Sequence, residues 1–208
     1  EFILRDGARR SYSMANAPHT LIESGAPMVD LHVRHMPGGK FTDHVFGAMK
    51  EKEILRIEGP YGSFHLQESP KPIVLLASGT GFAPIKAIIE HMQFMGITRE
   101  AVLYWGGRRP HDLYMNDWVQ ARCTEMPNLT YVPVVSDALP EDGWSGRTGF
   151  VHLAVLQDFA DLSGHQVYAC GAPIVVDSAR KDFVEKAGLP EHEFFADAFT
   201  SEADKLSV

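Results

Sequence analysis

The sequence is poor in cysteine, in basic charge and in long apolar runs. Two cysteines, Cys123 and Cys170, are too few for a disulfide framework or a four-thiolate iron–sulfur site. With 19 basic and 27 acidic residues the net charge is −8, which disfavours nucleic acid and anionic lipid as partners. No apolar run approaches the roughly 18 residues of a transmembrane helix, and no signal-peptide pattern is present. We therefore expect a soluble, cytoplasmic protein with neither a membrane nor a nucleic-acid partner.

The first part of the chain, residues 1–69, has the pattern of short strands and turns. Val29, Leu31 and Val33 alternate with polar residues, as in a half-buried strand. A glycine turn and a short helix are expected over residues 38–52, and further short strands follow. This pattern predicts an antiparallel, barrel-like domain.

The second part, residues 70–208, alternates apolar strands with helices, which is typical of a parallel sheet covered on both faces. Pro70 and Pro72 mark the predicted boundary. One helix carries apolar residues from Ile85 to Met95 at helical spacing and stops at Gly96. The five predicted strands are 73–77, 101–105, 129–135, 166–170 and 193–199, and the other predicted helices are 113–126, 151–159 and 173–187.

The stretch LLASGTGFAP, residues 75–84, joins an apolar strand to a helix through Gly79, Thr80 and Gly81. Backbone N–H groups and the positive end of a helix meet there, which suits a phosphate group. The stretch lacks the third glycine of the dinucleotide fingerprint, the Walker lysine and the G-x-S-x-G pattern. Taken alone, it fits a tight turn and a nucleotide cradle about equally well.

Unusual residues follow several strands of the second half, and the carboxyl ends of parallel strands meet at one edge, where ligands bind. This grouping indicates a dinucleotide site, with one of two arginines touching the cofactor. Two alternatives remain: Cys170 as a small core residue, and Asp197 as a polar edge residue. The residues are Gly106, Gly107, Arg108, Arg109, Cys170, Gly171, Pro173 and Asp197.

The ten histidines do not form a recognisable metal motif. His32 and His35 would point to opposite faces of a strand, and no H-E-x-x-H sequence is present. We expect no metal site.

Seven short motifs occur in the order found in the ferredoxin–NADP reductase superfamily, and the chain resembles that superfamily over almost its whole length. Four stretches, GTGFAP, YWGGR, GWSGRTG (143–149) and the DAF at the end of FFADAF, most resemble bacterial NAD(P)H-flavin reductases and CDP-6-deoxy-glucoseen reductase-like proteins. The latter are ferredoxin-type oxygenase reductases. The motifs are RSYSMAN (10–16), GGKFT (38–42), GPYGSF (59–64), GTGFAP (79–84), YWGGR (104–108), CGAP (170–173) and FFADAF (194–199).

The resemblance implies an antiparallel Greek-key flavin-binding barrel over 1–69, here incomplete, and a Rossmann-like NAD(P)H-binding domain over 70–208. It implies a flavoprotein enzyme that passes hydride from NADH or NADPH to FAD. The electrons would go on to a [2Fe–2S] domain or protein, an oxygenase or dehydrase partner, or free flavin. The alternative is a non-catalytic module for nucleotide binding or electron-partner docking.

The resemblance also assigns roles to individual residues. Arg10 would hold the flavin pyrophosphate, Tyr12 would pack on the isoalloxazine, and Ser13 would lie near its N5. The backbones of His32 and Val33 would meet the ring edge. Phosphates would be bound by Gly39, Lys40, Phe41 and Thr42.

On the dinucleotide side, Gly79, Thr80 and Gly81 would take the diphosphate, with Arg108 nearby. Cys170, Gly171 and Pro173 would frame the nicotinamide, while Asp197 and Phe199 would close the far side of the flavin. Of all these residues, Ser13, Cys170, Asp197 and Phe199 form the predicted catalytic set.

The chain begins at Glu1 with EFIL, residues 1–4, which resembles the inside of a strand. The first strands of the related barrels have no counterpart, and neither do the cysteines of the [2Fe–2S] domain that many relatives carry. We expect a fragment of a longer reductase, one that binds dinucleotide well and FAD weakly.

Overall fold

A computed structural model describes residues 1–23 and 27–199. In the first half, three two-residue strands pair antiparallel in the order β2–β1–β3. The described strands do not close into a barrel. The elements are β1 (Phe2–Ile3), β2 (Arg9–Arg10), α1 (Thr20–Glu23), α2 (Lys40–Asp43), a π-helical turn (His44–Ala48) that continues α2, and β3 (Arg56–Ile57).

The antiparallel pairing and the helix after the glycine turn at 38–39 are confirmed. The strand predicted around Val29, Leu31 and Val33 is wrong: among the described residues, this segment makes a single bridge, between Leu31 and Met14. Alternation favours a strand only where a neighbouring strand completes the hydrogen-bond ladder. Val29 is also 43% exposed, while Leu31 and Val33 are only partly buried, so the expected apolar face is not fully buried.

The second half is a parallel sheet of six strands in the order β7–β6–β5–β4–β8–β9. The five predicted strands are all present; the sixth, β7, was missed because two residues are too short to show a pattern. The strands are β4 (Ile73–Ser78), β5 (Ala101–Gly107), β6 (Leu129–Val135), β7 (Arg147–Thr148), β8 (Gln166–Gly171) and β9 (Phe194–Ala198). The helices are α3 (Phe82–Phe94), α4 (Asn116–Glu125), α5 (Val151–Asp158) and α6 (Pro173–Ala187).

The core lies on both faces of this sheet, because successive residues of β4 point to opposite sides. Leu75 packs in one apolar cluster with α3 residues such as Ile89, whereas Leu76 packs in the other with Val155 and Phe183 of α5 and α6. Met95, predicted on the apolar face, is 58% exposed because α3 ends at Phe94. Burial on both faces is why these strands are continuously apolar.

Two glycines allow the turn between β4 and α3 to lie against the end of β8. A Cβ atom on Gly81 would lie 2.2 Å from the carbonyl oxygen of Cys170, and one on Gly171 would lie 2.7 Å from Cβ of Ser78. Gly171 also has φ of +145°, a conformation that other residues rarely adopt. The backbones of β4 and β8 therefore meet at the carboxyl edge without intervening side chains.

We predict that Gly81→Ala lowers the free energy of unfolding by about 3 kcal/mol, because the new methyl group meets backbone that cannot rotate away. Gly164→Ala is the matched control, since its Cβ would meet no atom within 4 Å. Urea unfolding followed by tryptophan fluorescence measures both. Equal midpoints for the two variants would contradict the close approach described here.

Candidate functional site

The carboxyl ends of β4, β5, β8 and β9 lie along one edge of the sheet. Ser78 pairs with Gly106, Ala77 with Cys170, and Cys170 with Asp197 across adjacent parallel strands. The structure therefore brings together the strand ends that the sequence pattern groups into one site.

A hydrogen bond joins the first half of the chain to this edge. The hydroxyl of Ser13 donates to Oδ2 of Asp197 at 2.5 Å, and Asp197 lies beside Cys170 in the sheet. The fourth residue of the predicted catalytic set, Phe199, donates its backbone N–H to the carbonyl of Gly171 at 2.8 Å. All four residues thus lie around the end of β8, although 184 positions separate Ser13 from Asp197.

Cys170 is completely buried. Burial raises the pKa of its thiol well above the usual value, and the charge of Asp197 raises it further. The thiol is therefore neutral near pH 7, so it does not have the reactivity of a thiolate. Its burial fits a wall of the site and a small core residue equally well.

The Gly79–Gly81 turn has one fixed side and one open side. The indole N–H of Trp105 donates to the carbonyl of Gly79 at 3.0 Å, and Trp105 itself is stacked on Phe82 at 4.0 Å between ring centroids. On the other side, a Cβ atom on Gly79 would meet nothing within 4 Å, and Thr80 is partly exposed. The side of the turn that faces Trp105 is fixed by this hydrogen bond, and the opposite side is accessible.

Both arginines after β5 are already paired with carboxylates. Arg109 donates from Nε and Nη2 to Asp142 at 2.8 and 2.7 Å, and this pairing lowers the pKa of that carboxyl. Arg108, with a side chain 77% exposed, pairs with Asp137 at 3.2 Å. Oδ2 of Asp112 accepts the backbone N–H groups of both arginines at 2.9 Å. Asp112 thus shapes this loop instead of pairing with the guanidinium groups.

The two adjacent arginines of β2 have different surroundings. Nη1 of Arg9 lies 2.9 Å from Glu1 and 2.8 Å from Glu58. Nη1 of Arg10 donates to the backbone carbonyl of Arg9 at 2.7 Å. Arg9 is therefore held between two carboxylates on the small sheet.

Aromatic packing positions the next residue of this motif. The half-buried Tyr12 packs against Phe2 and Phe41, with ring centroids 5.9 and 5.3 Å away. Phe41 is only 4% exposed, so its side chain belongs to this cluster. The cluster joins β1, the Tyr12 segment and α2.

The glycine turn before α2 is stabilised by Thr42. Its hydroxyl donates to the carbonyl of Met36 at 2.9 Å and accepts the N–H of the same residue at 3.2 Å. Lys40, on the surface, pairs with Asp6 at 2.6 Å. The hydroxyl that the family resemblance assigns to a phosphate thus holds the loop itself, and Gly39 leaves room for it because a Cβ there would lie 2.6 Å from that oxygen.

His32 contacts the second half through its side chain, whereas the resemblance assigns a role only to its backbone. Nδ1 of His32 lies 2.6 Å from the hydroxyl of Tyr114, with the donor set by the tautomer. Burial lowers the pKa of His32, and the charge of Lys86 lowers it further, so the ring is neutral near pH 7. Val33 is partly buried beside it.

Sequence reasoning missed several residues that connect the elements of the site. Asp137 and Asp142 lie 29 and 33 positions from their arginines, so no local pattern reveals them. Tyr114 lies in a loop with no distinguishing pattern. Lys86 and Glu90 did leave a signal, because they form an i,i+4 charged pair on a helix whose other inward positions are apolar.

Three further observations concern other kinds of site. Within residues 1–23 and 27–199, no three His, Cys, Asp or Glu side chains are grouped as metal ligands would be. The described helices are too short or too polar to cross a membrane. Both cysteines, Cys123 and Cys170, are unpaired.

Two domain families match the chain. The oxidoreductase FAD-binding domain matches residues 3–66, and the oxidoreductase NAD-binding domain matches residues 75–181. The two matches follow the division between the antiparallel and parallel parts of the structure.

Among curated proteins, CDP-6-deoxy-L-threo-D-glycero-4-hexulose-3-dehydrase reductase of Yersinia pestis is 44% identical over 200 residues. That alignment covers 95% of this chain and 57% of the relative. Terephthalate 1,2-dioxygenase reductase component 2 of a Comamonas species is 37% identical over 201 residues, again covering 95% of this chain and 57% of the relative. The chain thus spans a little over half the length of these relatives.

Among solved structures, the cytochrome P450 reductase GcoB of Amycolatopsis superposes with a TM-score of 0.84 at 31% identity. This match covers 96% of this chain and 59% of that one. The cytochrome b5 reductase domain of Ulva prolifera nitrate reductase, at 20% identity, shares the fold with a TM-score of 0.76. Both domain families match, with the FAD-binding domain first, and the strand-end residues described above, apart from Asp197, lie in the second of them. The chain therefore belongs to the ferredoxin–NADP reductase superfamily of FAD- and NAD-binding oxidoreductases.

Proposed function

We propose that this protein is an NAD(P)H-dependent flavoprotein reductase, in which hydride passes from the nicotinamide to FAD and electrons continue to an acceptor. We place the FAD-binding domain at residues 1–69 and the NAD(P)H-binding domain at 70–208. We infer the reaction class from the relatives, and the side chains around the end of β8 support a site at which the two cofactors could meet.

The hydrogen bond between Ser13 and Asp197 is the observation that carries this proposal. It puts a residue of the flavin motif within 2.5 Å of a residue at the dinucleotide edge. A redox site built between two cofactors needs such a meeting point, because hydride transfer requires its two partners in close, fixed contact. Neither half could supply this arrangement alone.

The residues of the first half fit FAD in chemistry and in placement. Arg10 offers a guanidinium group and the Gly39–Thr42 turn offers the backbone amides that follow Gly39, whose own N–H is bonded to the carbonyl of Met36 at 2.8 Å. Both kinds of group suit phosphate oxygens. Tyr12, which lies between Arg10 and Ser13 in the chain, offers a half-buried aromatic ring that packs against Phe41 of this turn. In this assignment Thr42 acts by shaping the turn, while His32 and Val33 border the flavin ring.

The second half fits a nicotinamide dinucleotide. The open side of the Gly79–Gly81 turn lies where helix α3 starts, and a pyrophosphate is favoured at such a point. Gly171 and Pro173 carry the chain from β8 directly into α6, beside the proposed nicotinamide position. Arg108 remains the arginine assigned to the cofactor, since its side chain is the more exposed of the two.

Bound FAD supplies the hydride-accepting chemistry that side chains lack. Ser13 holds a proton at its Oγ, aimed at the carboxylate of Asp197, so the pair can orient a polar group on the flavin edge. Cys170, neutral and buried, forms an apolar floor and keeps water from the end of β8. Phe199 is held over the same strand end by its bond to Gly171.

The acceptor is proposed to be a [2Fe–2S] domain or protein, and the alternative acceptors are an oxygenase or dehydrase partner and free flavin. Support comes from the names of the relatives, which are reductases of a dehydrase and a dioxygenase. We also expect a cytoplasmic location, because both cysteines are unpaired.

The test of the proposed function is anaerobic mixing of the FAD-loaded protein with NADH. Rapid loss of the oxidised flavin absorbance supports the proposal. A protein that binds FAD and NADH but retains its oxidised spectrum would instead be a docking module without reductase activity.

We predict that Arg10→Ala weakens FAD binding about thirty-fold, which corresponds to a charge-assisted contact of about 2 kcal/mol. Arg9→Ala is the matched control, because Arg9 is held by Glu1 and Glu58. Flavin fluorescence titration of the two variants gives the dissociation constants. Equal losses in both would refute the assignment of Arg10 to the pyrophosphate.

We predict that Cys170→Ser slows flavin reduction by NADH about ten-fold with little change in FAD content, because reacting groups displaced by a polar side chain lose rate steeply. Cys123→Ser, on α4, serves as the control. Stopped-flow absorbance measures both rates. An unchanged rate in Cys170→Ser would leave this cysteine with a purely structural role.

We predict a preference for NADH over NADPH, because Asp142 holds Arg109 through two hydrogen bonds, so Arg109 does not join Arg108 in a basic cluster for a 2′-phosphate. Asp142→Asn should release Arg109 and raise kcat/KM for NADPH a few-fold relative to NADH. Asp161→Asn, on the loop before β8, should leave that ratio unchanged. A wild-type protein with kcat/KM clearly higher for NADPH would overturn the prediction.

A further inference from the structure

Lys86 is a charged residue at a buried position of helix α3. Its side chain is 9% exposed, and it lies five residues after the Gly81 turn. Burying an ammonium group is costly unless partners replace the water that it loses. The identity of those partners therefore indicates what the lysine does.

The partners of Lys86 join α3 to the flavin half. Nζ donates to the carboxylate of Glu90, one helical turn later, and to the backbone carbonyl of Ala15 at 2.9 Å. The second oxygen of Glu90 accepts the backbone N–H of Ala17 at 2.9 Å. One buried ion pair thus holds both ends of a three-residue backbone segment, in which Ala15 and Ala17 are fully buried.

The held segment belongs to the same motif as the proposed flavin ligands. Only one residue separates Ala15 from Ser13, which bonds to Asp197. At the other end, Lys86 is on the first turns of the helix that opens at the proposed diphosphate cradle. The pair therefore links the two elements that carry the proposed cofactor positions.

An i,i+4 pair that served only the helix would give its full benefit at an exposed position, without loss of hydration. A buried pair is weak evidence of stability, because apolar residues of similar volume often stabilise as well or better. What distinguishes this buried pair is that it imposes a direction on the backbone, because the carbonyl of Ala15 must face Lys86 and the N–H of Ala17 must face Glu90. This argues for a role in orientation.

On the basis of the proposed function, we propose that Lys86 and Glu90 are positioning residues that fix the Ala15–Ala17 segment against α3. They thereby set the separation between the flavin and the nicotinamide. The rate of hydride transfer is the quantity most sensitive to this separation.

The first experiment needs no cofactor. Hydrogen–deuterium exchange of the ligand-free protein is compared for wild type, Lys86→Met and the double variant Lys86→Met/Glu90→Met. The double variant leaves no unpaired buried charge, so it should be more stable than Lys86→Met alone, although the carbonyl of Ala15 and the N–H of Ala17 lose their partners. We expect exchange in a peptide covering residues 14–17 to rise about ten-fold, while peptides from β4 and β8 stay protected.

The second experiment uses the FAD-loaded protein, with reduction by saturating NADH and by 4-deuterated NADH. We expect the double variant to be reduced about ten-fold more slowly, with a clear isotope effect and unchanged FAD content. Lys186→Met is the matched control, because Lys186 forms an i,i+4 pair with Asp182 on α6 while its own side chain is 58% exposed. The control should match wild type in both experiments.

The outcomes separate this inference from the proposed function. Wild-type protein that holds FAD but is not reduced by NADH overturns the proposed function, and this inference with it. A reducible wild type together with a stable double variant that is equally fast and equally protected at 14–17 overturns this inference alone.

Discussion

The site depends on the close approach of two backbones at the carboxyl edge of the sheet. Gly81 and Gly171 let the β4–α3 turn and the end of β8 pack without Cβ atoms between them. Any larger residue at either position would separate the strands where the turn, Cys170 and Asp197 must share one small region. The glycine pattern of the GTG turn therefore has a packing cause as well as the proposed ligand-binding one.

This double role answers the question that the GTG stretch raises in the sequence. Gly81 faces inward against Cys170, whereas Gly79 has a positive φ of 54° and open space above it. A tight turn and a cradle are thus two sides of the same three residues. The inner side is fixed by sheet packing, and the outer side is left for a ligand.

Much of the second half could be predicted from the sequence because its signals are local. Helix α6 has the predicted bounds, since Pro173 opens it and Gly188 closes it in the left-handed conformation. The first half resisted prediction because its order comes from distant contacts. The residues around Val29 alternate like a strand, yet the described part of the chain gives them a single bridge. In the second half, the Arg109–Asp142 pair also escaped prediction, because it depends on the tertiary fold.

The same dependence shows in the candidate site. Cys170, Asp197 and the glycines could be grouped by the rule that parallel strands end at one edge. Two other contacts depend on how the loops pack in the folded protein. They are the hydrogen bond from Ser13 to Asp197 and the one from the hydroxyl of Thr42 to Met36. Side-chain direction in irregular backbone carries no periodic signal.

The anchoring of Ala15 and Ala17 on α3 has a consequence for biosynthesis. These two residues leave the ribosome before the helix that binds them, since Lys86 and Glu90 lie 71 and 73 positions later. Contacts so far apart in sequence form late, after the intervening chain has lost its freedom. The Ala15–Ala17 segment must therefore wait for the β4–α3 unit, and a ribosome that pauses before α3 has emerged holds a chain in which this segment has no helix to pack against.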